Sequence, residues 1–472
     1  MTAEAQSRFY DELLALVAPH GQEHLLAFWH ELDGPARQSL AAELRQIDYG
    51  LVHALYRQRD PEETSPGELL QLGGSPEAYC LGRGGGGFSP EQGRRRGLVA
   101  LEAGQVGVLL VAGGQGTRLG FDYPKGMFPI GPISGKSLFQ IHVEKIVAVS
   151  RRCNARIPLY VMTSDATHER TVEFFAERRR FGLPPEDVSF FCQGAMPAVD
   201  SGSGRILLAE RGHVALSPDG HGGMPAAFRQ SGALRRAADR GLRHLFYLHV
   251  DNPLVDVCQP EFLGYHLLSG SEMTTQVVRK HDPRDKVGNV VRQGGGLRVI
   301  EYIHLPDHAA SRRKPDGSLE IWAGSIGVHA IALAFLERMA ASPDALPFHR
   351  ACKKTPYVDS AGRQVTPAAP NAIKFERFIF DLLPKAQNAV LVEVDRQRHF
   401  APLKNASGEK EDTPETVRCA MIALHAGWLR QAGAEVAEGV PVEISPLVAL
   451  DAEELAERIA PGTRVTEPTH FR

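Results

Sequence analysis

The chain has 472 residues, enough for two or three structural units, with 43% hydrophobic and 23% charged residues and a formal net charge of −3. That balance is typical of a soluble globular protein, and the near-neutral charge gives no reason to expect nucleic acid or an acidic membrane as a partner. The six cysteines include no C-x-x-C pair, which argues against a zinc site or a disulfide framework and for a reducing compartment.

In chain order, residues 1 to about 75 read as helices, with Phe9, Leu13, Leu14, Leu16 and Val17, then Leu25, Leu26 and Phe28, at helical spacing. The start reads as an amphipathic helix rather than a signal peptide, and no apolar run reaches the length of a membrane span, so a cytoplasmic protein is expected. Gly82–Phe88 is glycine-rich and reads as a linker or loop. From Val106 strands and helices alternate. Strands fall at 106–112, 159–163, 188–192 and 244–250, and helices near 136–150, 168–180 and 225–240. This predicts an α/β fold whose central, mostly parallel but mixed sheet is of Rossmann-like, nucleotide-binding type. Hairpins follow at 290–302 and 357–365, then a helix at 371–384 and a strand at 389–394. The division expected is a helical segment 1–100, a catalytic domain 101–385 and a small C-terminal α+β domain 386–472.

The most telling stretch is VLLVAGGQGTRLGFDYPKG, from Val108 to Gly126. A buried strand breaks into glycines, which let backbone N–H groups approach an anion with no Cβ in the way. Arg118 and Lys125 add fixed positive charge on the same loop. Two commoner phosphate loops are excluded by spacing. Gly131 to Lys136 has three intervening residues before Gly135 where a Walker loop has four. Gly114-x-Gly116 is followed by Gly120, one position too late for a dinucleotide fingerprint. A triphosphate cradle remains. Ligands of such sheets sit at the carboxyl ends of strands, so the loops at Gly113–Gly116, Gln193–Gly194 and Asp251–Asn252 are expected to meet in one crevice.

Motifs along the chain carry a family resemblance. FFCQGAMPA (190–198), SPDGHGG (217–223), VDN (250–252), Val287-Gly288, Glu301-Tyr302, WAGS (322–325), PYVD (356–359), PNAIK (370–374), APLKN (401–405) and EISPL (443–447) occur in family order. The chain resembles the eukaryotic-type UDP-N-acetylglucosamine pyrophosphorylases, within the wider UTP–hexose-1-phosphate uridylyltransferase group, from about residue 100 to about 450. The resemblance implies that UTP and a sugar 1-phosphate become UDP-sugar and pyrophosphate. It implies that Val111, Ala112, Gly113 and Gly114 hold the nucleotide through backbone N–H groups, and that Gln193 and the Gly220 backbone read the uracil edge. Arg118 and Lys125 would embrace the β,γ-phosphates, Lys374 would reach the UTP phosphates, and Lys404 would bind the incoming sugar phosphate. Asp251 suits a hard cation bridging phosphates, which makes Mg²⁺ the expected cofactor. Gly288, Glu301 and Tyr302 fall at the sugar side.

The sugar pocket departs from those relatives. His221 and Ser325 stand where the N-acetylglucosamine enzymes generally carry asparagines that help hold the sugar hydroxyls and the acetamido group. Glucose, galactose and N-acetylglucosamine 1-phosphates all remain open as acceptors. UTP and the sugar phosphate are the expected partners, with no nucleic acid or membrane and a monomer or weak homo-oligomer. Two alternatives stand beside this reading: a glycosyltransferase that consumes UDP-sugar, for which Asp251-Asn-Pro supplies no D-x-D metal motif, and a non-catalytic UDP-sugar binder, which needs fewer phosphate clamps.

Overall fold

The aliphatic run Val106–Val111 is buried along its whole length, as a strand covered on both faces must be. In the computed structural model, which describes residues 3–58, 72–342 and 345–472, it lies inside a ten-stranded mixed sheet. The strands are β1 (Tyr79–Cys80), β2 (Val106–Val111), β3 (Leu159–Thr163), β4 (Val188–Cys192), β5 (His244–His249), β6 (Met273–Arg279), β7 (Gly288–Gln293), β8 (Gly296–Ile300), β9 (Ala323–Ala332) and β10 (Ala389–Glu393). Their order is β1-β10-β6-β9-β5-β2-β3-β4, and β7 pairs with β8 and β9. The run β5-β2-β3-β4 is parallel, and β9 is antiparallel to both of its neighbours in that order. The α/β expectation is met.

Helices cover the sheet because their apolar stripes leave them no other stable place. Leu138–Arg152, capped by the Ser137 hydroxyl, buries Phe139, Ile141, Val143 and Ile146. Phe139 meets Phe175 of helix Asp165–Glu177 edge to face, with ring centres 5.0 Å apart. The helix expected across 225–240 is two shorter ones, Met224–Gln230 and Ala233–Asp239, because the chain turns at Gly232 with φ +72°. Toward the C-terminus, helix Pro414–Gln431 packs with the parallel pairs Val442–Ile444/Thr469–Phe471 and Glu435–Val436/Arg464–Val465 around Leu429, Val442, Ile444 and Leu455.

The chain divides into two compact units. The sheet and its helices belong to the unit formed by 72–192, 224–342 and 380–472. In the other, formed by residues up to 58 with 193–223 and 346–379, helices Ala3–Val17, Gly34–Gln46 and Tyr49–Arg57 and the helical turn Trp29–Glu31 pack Leu13, Trp29, Leu40 and Leu44 against Val199, Ile206, Val214 and Phe375. These units do not follow the linear division 1–100, 101–385 and 386–472. The amphipathic N-terminal helices bury their apolar sides on segments far along the chain, and a linear division does not register that.

One further expectation is corrected, and another takes the loop form of its two alternatives. Residues 371–384 form not a helix but strand Ala372–Glu376, antiparallel to His349–Lys353 and Val199–Asp200, followed by the short helical turn Ile379–Lys385. Ile373 and Phe375 alternate with Lys374 and Glu376, a period of two that fits a half-buried strand. Gly82–Phe88, expected as a linker or loop, is a hydrogen-bonded turn. Cys80 N–H donates to Gly84 O, Gly85 and Phe88 exchange backbone hydrogen bonds, and Gly82 N–H donates to Glu261. The part of the expected N-terminal helical region between 59 and 71 lies outside the described residues.

Candidate active site

The glycine loop after β2 folds back on itself. Ala112 N–H donates to Met162 O, and the Ser164 hydroxyl donates to Gly113 O at 2.7 Å, so the strand end is held from β3. Gly116 N–H donates to Tyr123 O and Phe121 N–H to Gly116 O. A Cβ at Gly116 would sit 2.6 Å from Phe121 O, so only glycine fits there. Lys125 N–H donates to Gly114 O, which returns the lysine to the start of the loop. Arg118 lies exposed on the intervening turn Thr117–Leu119 and forms no ion pair among the described residues.

Beside this loop stands the end of β5, in register with β2 from His244↔Val106 to His249↔Val111. Asp251 follows, and its carbonyl accepts from Leu403 N–H at 2.8 Å. Lys125 Nζ donates to Leu403 O at 3.4 Å. Leu403 therefore brackets the two, and the next residue is Lys404. The lysine's ammonium is 4.0 Å from the Asp412 carboxylate, and its N–H donates to Asp412 O. Asn252 fastens the bracket: its Nδ2 donates to His399 O at 2.8 Å and its Oδ1 accepts from Ala401 N–H at 3.1 Å. Three residues far apart in sequence, Lys125, Asp251 and Lys404, thus meet at the carboxyl ends of β2 and β5.

Electrostatics at this place was only partly legible in the sequence. His249, one turn of the pleat before Asp251, is held below its usual pKa by burial and by Lys404 and Lys125, with Asp251 acting the other way. Asp412 is pushed up by burial while Lys404 pulls it down. Neither residue was singled out. His249 lies within the strand motif and could have been, whereas Asp412 sits in the charged run EKED with no signal of its own. Among the described residues no group of three metal-ligating side chains exists. A cation at Asp251 would therefore have at most two such protein ligands and take the others from phosphate oxygens and water, a donor set that fits Mg²⁺.

Gly288 and Ser325 are register partners on β7 and β9. A Cβ on Gly288 would lie 3.8 Å from Ser325 Cβ and 3.9 Å from Glu301 Oε1, so these three candidate sugar contacts form one small wall. Tyr302, next to it, is exposed.

The remaining candidates belong to the other unit. Gln193 follows β4, Gly220 adopts φ +82°, the His221 Nδ1 accepts from Ile379 N–H at 3.2 Å, and Lys374 stands on strand Ala372–Glu376 opposite Ala351.

A parallel sheet with a glycine loop at one strand end, and with two ammonium groups and a carboxylate gathered beside it, defines a nucleotidyltransferase of the nucleotide-sugar pyrophosphorylase type. The family model described as UTP–glucose-1-phosphate uridylyltransferase matches residues 92–458, and the chain belongs to that family. It is a UTP:sugar-1-phosphate uridylyltransferase in class.

Among curated proteins, the chain is 39% identical over 370 residues to UDP-N-acetylglucosamine pyrophosphorylase of Saccharomyces cerevisiae, covering 77% of this chain and 78% of that protein. It is 36% identical over 466 residues to UDP-N-acetylhexosamine pyrophosphorylase-like protein 1 of Xenopus tropicalis, covering 92% and 91%. Among solved structures, the uridine diphosphate N-acetylglucosamine pyrophosphorylase of Trypanosoma brucei aligns with a TM-score of 0.81 and 26% identity, over 97% of this chain and 98% of that one.

Proposed function

We propose that the chain joins UTP to an N-acetylhexosamine 1-phosphate with Mg²⁺ as cofactor, and that the site residues divide the work as follows. A phosphate oxygen of the sugar 1-phosphate attacks the α-phosphorus of UTP in line. A P–O bond forms there as the bond to the β-phosphate oxygen breaks, and pyrophosphate leaves with the electron pair. Such transfers ask for positioning and charge neutralisation rather than covalent catalysis. The backbone of Val111–Gly114 holds the nucleotide, Arg118 and Lys125 neutralise the departing pyrophosphate, and Lys404 holds the attacking sugar phosphate. Lys374 is assigned to the UTP phosphates, and Gln193 with the Gly220 backbone to the uracil edge. Mg²⁺ on Asp251 would supply Lewis-acid neutralisation of the phosphates when bound.

The observation that carries this reading is the Leu403 bracket, which joins Lys125, Asp251 and the Lys404 segment at the carboxyl ends of β2 and β5. It favours turnover over the non-catalytic alternative, because holding UDP-sugar alone needs no cation for a departing pyrophosphate, the role assigned to Lys125. For the sugar, the support is the identity of 35–39% to curated relatives named for acetylated hexosamines.

The test is a panel of sugar 1-phosphates assayed with UTP and Mg²⁺ for pyrophosphate release. N-acetylglucosamine or N-acetylgalactosamine 1-phosphate is expected to give the highest kcat/KM. Preference for glucose 1-phosphate would overturn the sugar assignment, and UTP binding without pyrophosphate release from any acceptor would overturn the enzymatic one.

A further inference from the structure

Two charged residues that the proposed chemistry leaves unused, Asp219 and Arg377, form a buried ion pair under the loop that carries Gly220. Their side chains are 4% and 17% exposed, and an Arg377 guanidinium nitrogen lies 2.5 Å from Asp219 Oδ2. The backbones interlock around the pair. Asp219 N–H donates to Gly194 O at 2.9 Å, Arg377 N–H to Asp219 O at 2.7 Å, and Gly222 N–H to Arg377 O at 2.8 Å. The guanidinium also stacks over the Phe348 ring, 4.4 Å from its centre.

No side chain fits between these parts. A Cβ at Gly194 would lie 2.8 Å from Asp219 Oδ2, one at Gly220 would run into the Arg377 backbone, and one at Gly223 would overlap the Asp219 carboxylate. The glycines of SPDGHGG are therefore explained by the pair that the loop wraps.

As a stabilising device the pair is poorly made. Among the described residues, Asp219 Oδ1 and Arg377 Nε are both buried without a hydrogen-bond partner. Taking two charges out of water costs several kcal/mol, and a pair with unpaired atoms returns little of it. Its value lies in what it holds in place.

The chemistry of base recognition says what that is. Uracil offers a carbonyl acceptor at position 4 where cytosine offers an amino donor. A glutamine amide such as that of Gln193 can turn over and serve either pattern. A backbone N–H can only donate, so it rejects cytosine only if it is fixed in place. The Gly220 N–H makes no hydrogen bond among the described residues. We infer that Asp219 and Arg377 are positioning residues for base selection: their ion pair fixes the Gly194 and Gly220 backbones and thereby sets the preference for UTP over CTP. This inference rests on the assignment of Gln193 and Gly220 to the uracil edge.

The experiment measures kcat/KM for UTP and CTP, and KM for the sugar 1-phosphate, in Arg377→Gln, Arg377→Lys and the double variant Asp219→Asn with Arg377→Gln. The double variant leaves no unpaired buried charge, so it remains testable where the single one folds badly. Losing a fixed donor should lower the UTP-over-CTP ratio at least about tenfold. KM for UTP should rise and KM for the sugar phosphate stay within about twofold, with Arg377→Lys restoring part of the ratio. An unchanged ratio, with both nucleotides losing activity in parallel, would overturn the inference. Gln193→Ala tests the underlying assignment separately: if it alters neither KM for UTP nor the ratio, the base site lies elsewhere and that assignment fails on its own.

Discussion

Lys404 shows how much one residue's role depends on residues that have no motif. Its ammonium stands 4.0 Å from Asp412 and its backbone is pinned to the same residue, so it is aimed but not neutralised by a tight contact. An ammonium so placed can give its charge to an incoming phosphate. Removing a single oxyanion-type donor from an active site costs roughly 10²–10³ in rate. Lys404→Ala should lower kcat/KM for the sugar 1-phosphate by that factor and leave KM for UTP near normal, as initial-rate kinetics with each substrate varied would read. A collapse of UTP binding with unchanged sugar-phosphate dependence would reverse the roles assigned to Lys404 and Lys125. Lys125, Asp251 and Lys404 could each be named from the sequence because each sits in a short motif. Asn252, which ties Asp251 to the Lys404 segment, could not be distinguished from a turn residue, since its amide acts on His399 and Ala401 across the fold.

Among the elements, the loop that follows Lys125 is held from the C-terminal part of the chain. Glu443, on strand Val442–Ile444, is 2% exposed and accepts hydrogen bonds from Ile133 N–H at 2.8 Å, Ser134 N–H at 2.7 Å and the Ser134 hydroxyl. Next to it Lys136 Nζ lies 2.6 Å from Glu144 and 3.0 Å from the Ser445 hydroxyl. The EISPL motif thus serves to clamp the stretch that was set aside as a false Walker loop. Glu443→Ala strands two backbone donors, a loss of about 1–3 kcal/mol each when they are desolvated. The variant should melt earlier and turn over more slowly, and Glu443→Gln, which keeps one acceptor, should fall between it and the parent. A melting temperature equal to the parent's would remove the clamp from the account. Element types were legible where periodicity was long and consistent, as in β2 or helix Leu138–Arg152. They were misread at 372–376, where five residues give only three apolar positions and strand pairing with distant segments decides the outcome.

For the molecule as a whole, pH-dependent stability follows from an ion pair behind the Asp251 loop, its imidazole 9% and its carboxylate 34% exposed. His399 Nε2 lies 3.2 Å from Asp256 Oδ2, and its Nδ1 faces Asp395 O at 2.9 Å. The pair borders a cavity of about 840 Å³, also lined by Lys145, whose Nζ donates to Pro253 O and Val255 O. Burial disfavours the charged imidazole, yet the hydrogen bond and charge of Asp256 outweigh it and raise His399 above 6.5. Burial likewise disfavours the carboxylate, and His399 outweighs it and holds Asp256 below 3.8. A raised histidine contributes stability that is fully present below its unfolded pKa and lost as pH rises through the folded one. The depressed aspartate contributes stability above its unfolded pKa that is lost as pH falls through the folded one. The pair therefore stabilises most between those limits. His399→Gln should lose more stability at about pH 6 than at about pH 9 in urea titrations. An equal loss at both would mean that the imidazole is not charged in the folded protein.

The sequence by itself determined the sheet, the glycine loop and the chemistry of the site, because a buried parallel strand, a glycine turn and a cationic motif are all local patterns of a few residues. Only the tertiary structure decided which residues support them. The N-terminal helices pack on 193–223 and 346–379, Arg377 closes on Asp219, and Glu443 reaches a loop 309 residues earlier at Ser134. Burial and ion pairing act through space, and a linear pattern carries no record of which distant side chain satisfies a buried N–H or a buried charge.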